Sequence, residues 1–265
     1  MLLNILIAWI GLFILVSFFW VWGYLKKNPS VIDAGWSLGI LLAGTLFIVY
    51  NDNFSYSNYV IDIYWFLLLS WSVRLSVYLY LTRIYQNKVD KRYLRVSELW
   101  TINKSLGFFI HYQFQAILML LVALPFFFIA KIKFNQFNLL NLFAILIISF
   151  AIIGETIADF QLYKYKKANR GSICQIGLWY YSRHPNYFFE WLIWVGFSIA
   201  ALSVPFGYLS LLSPLLLLYL FIFVTGPITE TGSIKNHGAV YINYQTSTSM
   251  FIPWFKKRGS YDPDR

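Results

Sequence analysis

The chain has 265 residues, 59% of them apolar and only 12% charged, with a formal net charge of +10. Soluble domains carry roughly 25% charged residues, so an ordinary water-soluble globule is excluded and a membrane protein is expected. The positive charge would suit nucleic acid, but its placement along the chain assigns it to membrane topology instead, and no nucleic-acid partner is expected.

Seven apolar stretches are predicted to span, each near the ~20 residues that cross the hydrocarbon as a helix. In chain order they are Leu2 to Tyr24, Val31 to Tyr50, Asn58 to Thr82, Leu106 to Ala130, Leu139 to Leu162, Tyr187 to Val204 and Gly207 to Thr225. Only the Pro205–Phe206 corner separates the last two, so a re-entrant hairpin is the alternative there. The first stretch has no basic residue before it and is followed by Lys26 and Lys27, which reads as a retained span rather than a cleaved signal.

Eighteen of the 21 cations fall in the loops after the first, third and fifth stretches and in the C-terminal tail. The positive-inside rule then places the N-terminus outside and the tail in the cytoplasm. No soluble domain, internal repeat or low-complexity tract is seen. The expected fold is all-α, a polytopic seven-transmembrane-helix bundle, with residues 1–265 forming a single membrane-embedded domain.

Polar residues within the stretches mark a working site, since a charge at mid-helix costs a few kcal/mol to insert and faces an interior or a watery cavity. Asp33, Arg74, Glu155, Asp159, Asn186 and Glu190 all thread into the cytoplasmic half. Glu155 with Asp159, and Asn186 with Glu190, stand at i and i+4 and so share a helix face. Asp62 reads as a solvated charge at the outer end of the third stretch. The cytoplasmic loops add Arg83, Lys88, Lys91, Arg92, Arg95, Lys164, Lys166, Lys167, Arg170 and Arg183, a rim suited to several phosphates as well as to lipid headgroups. Tyr163, Tyr165, Tyr180 and Tyr181 between them read as an interfacial belt or as stacking platforms.

Other chemistries are demoted. No G-x-G-x-x-G or P-loop occurs, and no nucleophile elbow is expected. Cys174 is the only cysteine and reads as a small filler, and His111, His184 and His237 have no metal-ligand spacing. No metal is expected.

The runs "GETIADFQLYKYKK", "GLWYYSRHPNYFFEWLIW" and "GPITETGSIKNHGAVYINYQTSTSMFIPW", with "VIDAGWSLG" early in the chain, resemble steroid 5α-reductases and their bacterial relatives. The R-H-P-N-Y motif with Glu four residues after Asn carries most of that signal. R-H-P-x-Y also occurs in membrane methyltransferases that use S-adenosylmethionine and act on isoprenylcysteine or phospholipids, the alternative reading. The resemblance implies an NADPH-dependent reductase that saturates the double bond of a 3-oxo-Δ4 steroid or similar lipophilic enone, in a bacterial inner membrane, with membrane lipid around it and no obligate protein partner.

Carried over residue by residue, Asn186 and Glu190 would orient the nicotinamide and Asp159 would meet the adenosine, with Lys166 where the family often has Arg. Arg74 and Arg83 would lie on the cofactor side, and the tail match adds Asn236, His237, Tyr241 and Tyr244. Arg92, Lys164, Tyr181, Arg183 and His184 complete the expected cofactor set. The family's early Gln-Glu pair and third-helix Tyr, which polarise the ketone, have no direct match here: Asp33 is the only early acid and Trp71 stands where the Tyr is expected. Asp33, protonated or hydrogen-bonded by apolar surroundings, is the expected polarising group, with Glu190 beside it as the second candidate catalytic residue.

Overall fold

A computed structural model describes residues 2–51, 58–86, 89–133, 137–169 and 171–256, and of Lys91 only the backbone. The described residues form helices and turns with no β-strand; one isolated parallel bridge pairs Ser182 with Ser249. The helices are α1 (Leu2–Lys26), α2 (Val31–Val49), α3 (Tyr59–Leu79), α4 (Lys91–Glu98), α5 (Lys104–Val122), α6 (Leu124–Ile129), α7 (Leu139–Ala168), α8 (Leu178–Tyr181), α9 (Pro185–Ala201), α10 (Leu212–Tyr219), α11 (Gly226–His237) and α12 (Ala239–Ser247).

Among the described residues, six helical runs are long and apolar enough to cross a membrane: Leu2–Lys26, Val31–Val49, Tyr59–Ile84, Lys104–Val122, Leu139–Ala168 and Gly207–His237. This is the make-up of a multi-pass membrane protein. The stretch expected as a sixth span is α9, 17 residues long, at the short limit for crossing.

Three boundaries differ from the sequence expectation. Pro125 sits in the first turn of α6, and the stretch expected as one helix from Leu106 to Ala130 breaks at Ala123. Proline has no N–H to continue the ladder, and its ring disfavours helical geometry in the residue before it. The fifth stretch runs on to Ala168. The last one continues past Thr225, because Pro227 falls in the first turn of α11, where a missing N–H costs nothing. The helical run through Gly207–His237 contains a wide turn at Leu220–Thr225, closed by the Gly226 N–H on the Phe221 carbonyl. A second wide turn at Tyr80–Ile84 extends α3, with the Tyr85 N–H on the Tyr80 carbonyl at 2.8 Å. Such five-residue turns are rare and cluster at functional sites.

The chain forms two compact units, residues 1–145 with 195–214, and residues 146–194 with 215–265. In the first unit α2 is central, packing on α1, α3, α5 and α6. Small residues make this possible. A Cβ on Gly39 would lie 2.5 Å from Met119 Sδ, and one on Gly44 would lie 2.7 Å from Leu68 Cδ2, the close approach by which small residues let helices pack without bulk. Ser37 Oγ meets Ser76 Oγ at 2.7 Å, and Ser72 Oγ donates to the Ser37 carbonyl at 2.8 Å, so the seam between α2 and α3 carries its own hydrogen bonds. At the far end of α3, Asn58 caps the helix by accepting from the Val60 N–H at 3.2 Å, and the Tyr64 hydroxyl donates to Asn141 Oδ1 at 3.0 Å.

In the second unit α7 lies against α9. Gly154 removes the side chain that would meet Phe189, whose Cε1 stands 2.4 Å from the site of a Cβ. The Trp179 indole donates to the Ala158 carbonyl at 2.9 Å and Gln161 Oε1 accepts from the Leu178 N–H at 2.9 Å, fixing α8 on α7. This local packing brings the R-H-P-N turn beside the polar end of α7.

Candidate functional site

Two polar clusters occur, one in each unit. The second unit holds most of the residues singled out by the sequence. Asp159 and Glu190 are 4% and 7% exposed. Asn186, in the first turn of α9, donates its amide to Asp159 Oδ1 at 3.4 Å, and its own Oδ1 is buried with no hydrogen-bond partner. One turn on, Glu190 Oε1 accepts from the Trp194 indole at 3.2 Å. The i, i+4 spacing of Asn186 and Glu190 does put both on the face of α9 that is turned inward, as the helix period requires.

Arg183 and His184 immediately precede that helix, and both meet a residue the sequence reading did not single out, Glu230 of α11. Arg183 donates from Nε to Glu230 Oε1 at 2.6 Å and from Nη2 to Oε2 at 3.2 Å; its Nη1 donates to the carbonyls of Gln245, at 3.0 Å, and Thr248. His184 Nε2 lies 3.2 Å from Glu230 Oε1, and Gln245 Nε2 donates to Oε2 at 2.7 Å. The Tyr244 hydroxyl, from α12, donates to the Trp179 carbonyl and reaches the Ser182 carbonyl at 3.2 Å. Burial and the Glu230 charge push the Tyr241 phenol up to about 12. Tyr241 and Tyr244 pack edge to face with ring centroids 5.9 Å apart.

Other expected residues lie away from this cluster. Lys164 and Lys166 are exposed in the last turns of α7, Tyr181 is exposed and packs edge-on against Phe255, Asn236 is exposed and His237 half-buried at the end of α11. Lys88 and Arg170, and the side chain of Lys91, lie outside the described residues.

The first unit contains Asp33, Arg74, Arg83 and Arg92. Asp33, in the first turn of α2, accepts from Arg83 Nη1 at Oδ2 and from the Tyr93 hydroxyl at Oδ1, the latter at 2.7 Å. Arg92 Nη2 is 3.8 Å from the same carboxylate. Asp33 is thus hydrogen-bonded, as expected, but the surroundings on that side are ionic where apolar ones were expected, because the wide turn at Tyr80–Ile84 carries Arg83 to it. The phenol beside it is Tyr93 of α4; Trp71, at the position where a Tyr was expected, is fully buried. Burial and the Asp33 charge raise Tyr93 well above an ordinary phenol, so it keeps its proton across the physiological range. Arg74 lies in α3.

Asp90 closes this cluster and was also missed. Its Oδ1 caps α4 through the Arg92 N–H at 2.9 Å, its Oδ2 accepts from Arg92 Nη2 at 2.7 Å, and its N–H donates to Ser30 Oγ at 2.7 Å. Burial pushes the Asp90 carboxyl up, but hydrogen bonds and charge from Arg92, with Arg83 beyond, outweigh it and hold the group below the usual carboxylate range. The consequence has a definite sign. A depressed folded-state value gives stability that is complete at neutral pH, begins to fall in the ordinary carboxylate range where the unfolded chain takes up its proton, and is gone once pH has fallen through the depressed value. The protection of amides in Lys91–Glu98, taken relative to the intrinsic exchange rate at each pH, is therefore expected to fall in acid, and Asp90→Ala to show low protection at every pH; a pH-independent wild type with an unchanged variant would contradict the cap.

A family model described as "Protein of unknown function (DUF1295)" matches residues 19–248, a segment that takes in every charged member of both clusters. No curated protein and no solved structure matches the chain. With well over half of its length matched, the protein belongs to the DUF1295 family.

Proposed function

We propose that the protein is an NADPH-dependent reductase of a lipophilic enone such as a 3-oxo-Δ4 steroid, working in a membrane that it crosses seven times with the N-terminus outside and the tail in the cytoplasm. A bacterial inner membrane is the proposed setting. The observation that carries the reading is the unpartnered, buried Oδ1 of Asn186 beside Asp159 and one turn from Glu190. A buried acceptor without a donor costs free energy of about 1–3 kcal/mol, and a carboxamide N–H₂, the handle of a nicotinamide, is the donor that would relieve it. The residues present therefore fit the cofactor.

When bound, NADPH would supply a hydride for the carbon β to the ketone. Asn186 and Glu190 would then hold the carboxamide edge and fix which ring face is presented, positioning being where such sites gain most. Asp159 would hold Asn186 in register. In the first unit Asp33 and Tyr93 are the pair proposed to polarise a ketone oxygen: the single phenol proton goes to Asp33 Oδ1 in this structure and would turn to the ketone oxygen when substrate binds. Arg74, Arg83 and Arg92, together with Lys164, Lys166, Tyr181, Asn236, His237, Tyr241 and Tyr244, remain the proposed wider cofactor set through the resemblance. Arg183 and His184 belong to it too, though their side chains already meet Glu230.

The test is direct. Purified protein mixed with NADPH should show energy transfer from its tryptophans to the reduced nicotinamide, and with a panel of steroid and other enones it should consume NADPH and yield a product two mass units heavier. Absence of both, with methyl transfer from labelled S-adenosylmethionine, would replace this reading with the methyltransferase one.

A further inference from the structure

Glu230 is 7% exposed and accepts from three side chains that come from two different segments, Arg183 and His184 before α9 and Gln245 of α12. A buried carboxylate so fully engaged holds its partners in place as much as they hold it. Arg183 is gripped along its whole length, since its backbone N–H also donates to the Ser249 carbonyl at 2.8 Å. The His184 ring lies parallel to Tyr187 at 5.0 Å, and Tyr187 lies parallel to Phe221 at 4.7 Å. Phe221 belongs to the wide turn that precedes Glu230 in the chain. His184 also opens α9, its carbonyl accepting from the Phe188 N–H at 3.2 Å while its own N–H donates to Ser182 Oγ at 3.1 Å. Two successive residues are thus locked to one carboxylate at the point where α9 begins, two residues ahead of Asn186.

We propose that Glu230 is a positioning residue, which sets the entry and rotation of α9 through Arg183 and His184 and so fixes where Asn186 and Glu190 are presented. The catalytic half of this statement rests on the reductase reading; the geometric half does not. Glu230→Gln keeps the shape but puts an amide N–H₂ against the donors of Arg183 or Gln245, so one contact becomes donor facing donor. Glu230→Asp keeps the charge and shortens the reach.

In detergent-solubilised full-length protein, Glu230→Gln is expected to lower kcat per folded molecule on the order of 100-fold, the scale of a 1 Å misplacement, while KM for NADPH changes less than about threefold. Glu230→Asp should recover most of the loss. Amide exchange at Arg183 and Phe188, read without cofactor, should quicken about tenfold or more in Glu230→Gln and return toward wild type in Glu230→Asp. A residue that merely stabilises the fold would lower the melting temperature and leave kcat per folded molecule and these two amides unchanged, and that result overturns the proposal. If wild-type protein turns over no enone, the reductase reading fails, and the two amides alone decide whether Glu230 positions α9. If Glu230→Gln does not fold, Gln245→Ala, which removes one donor and leaves the Arg183 pair, carries the same two measurements, with a smaller effect in the same direction; no effect there overturns the proposal equally.

Discussion

Glu190→Gln is expected to reduce enone turnover on the order of 100-fold in a protein that melts almost where the wild type does. The substitution separates chemistry from packing. Glu190 Oε1 accepts from the Trp194 indole at 3.2 Å, and a glutamine oxygen can take over that bond, so α9 keeps its internal tie. What disappears is the charge and the second oxygen, the features that would hold a carboxamide in one orientation. Glu190→Ala is a poorer probe, because it also removes the acceptor that Glu190 gives the buried indole N–H, so packing and chemistry change together. The two measurements are thermal unfolding in detergent and NADPH consumption with an enone that the wild type reduces. Full turnover by Glu190→Gln would remove this carboxylate from the mechanism.

The largest effect on stability is expected from Arg183→Leu. Arg183 is 9% exposed and supplies two of the bonds to Glu230 and two more to backbone carbonyls. Its loss leaves a buried carboxylate without its guanidinium partner, and breaking such a pair from one side costs about 3–5 kcal/mol. The double variant Arg183→Leu with Glu230→Leu should win back a good part of this, since no buried charge is left uncompensated. Melting curves of wild type, the two single variants and the double variant make a complete cycle. A double variant as unstable as the sum of the two singles would show that the pair is not coupled.

Local patterns were the legible part of this molecule. The apolar stretches locate the long helices, and the i, i+4 spacing of Asn186 and Glu190 puts both on one face because a helix period depends on nothing outside the helix. Asn58 before Tyr59 caps α3 for an equally local reason. Proline carries two meanings in this chain. Pro125 interrupts a helix and Pro227 opens one, and only the geometry of the preceding turn decides between them. Glu230 was invisible for a different reason. It stands 47 residues from Arg183 in the chain, with no acidic neighbour at helical spacing, so only folding reveals its partners. Its one sequence signal was to be the single carboxylate between Glu190 and Asp262. Asp90 was more accessible, since an Asp just before "KRYLRVSE" has the form of an N-cap.

The wide turns at Tyr80–Ile84 and Leu220–Thr225 leave a mark on how this chain can change length. Each accommodates one residue more than an ordinary turn, so removing Thr82 or Val224 could let the backbone relax into a regular helix without breaking. Because each turn absorbs its extra residue locally, side chains beyond such a deletion would keep their angle about the axis. Deleting one residue from the regular helix before either turn would instead swing everything beyond it by about 100°, taking Arg83 from Asp33 or Glu230 from Arg183 in a protein whose hydropathy profile had hardly altered. Angular phase, invisible to any count of apolar residues, is what these two turns keep.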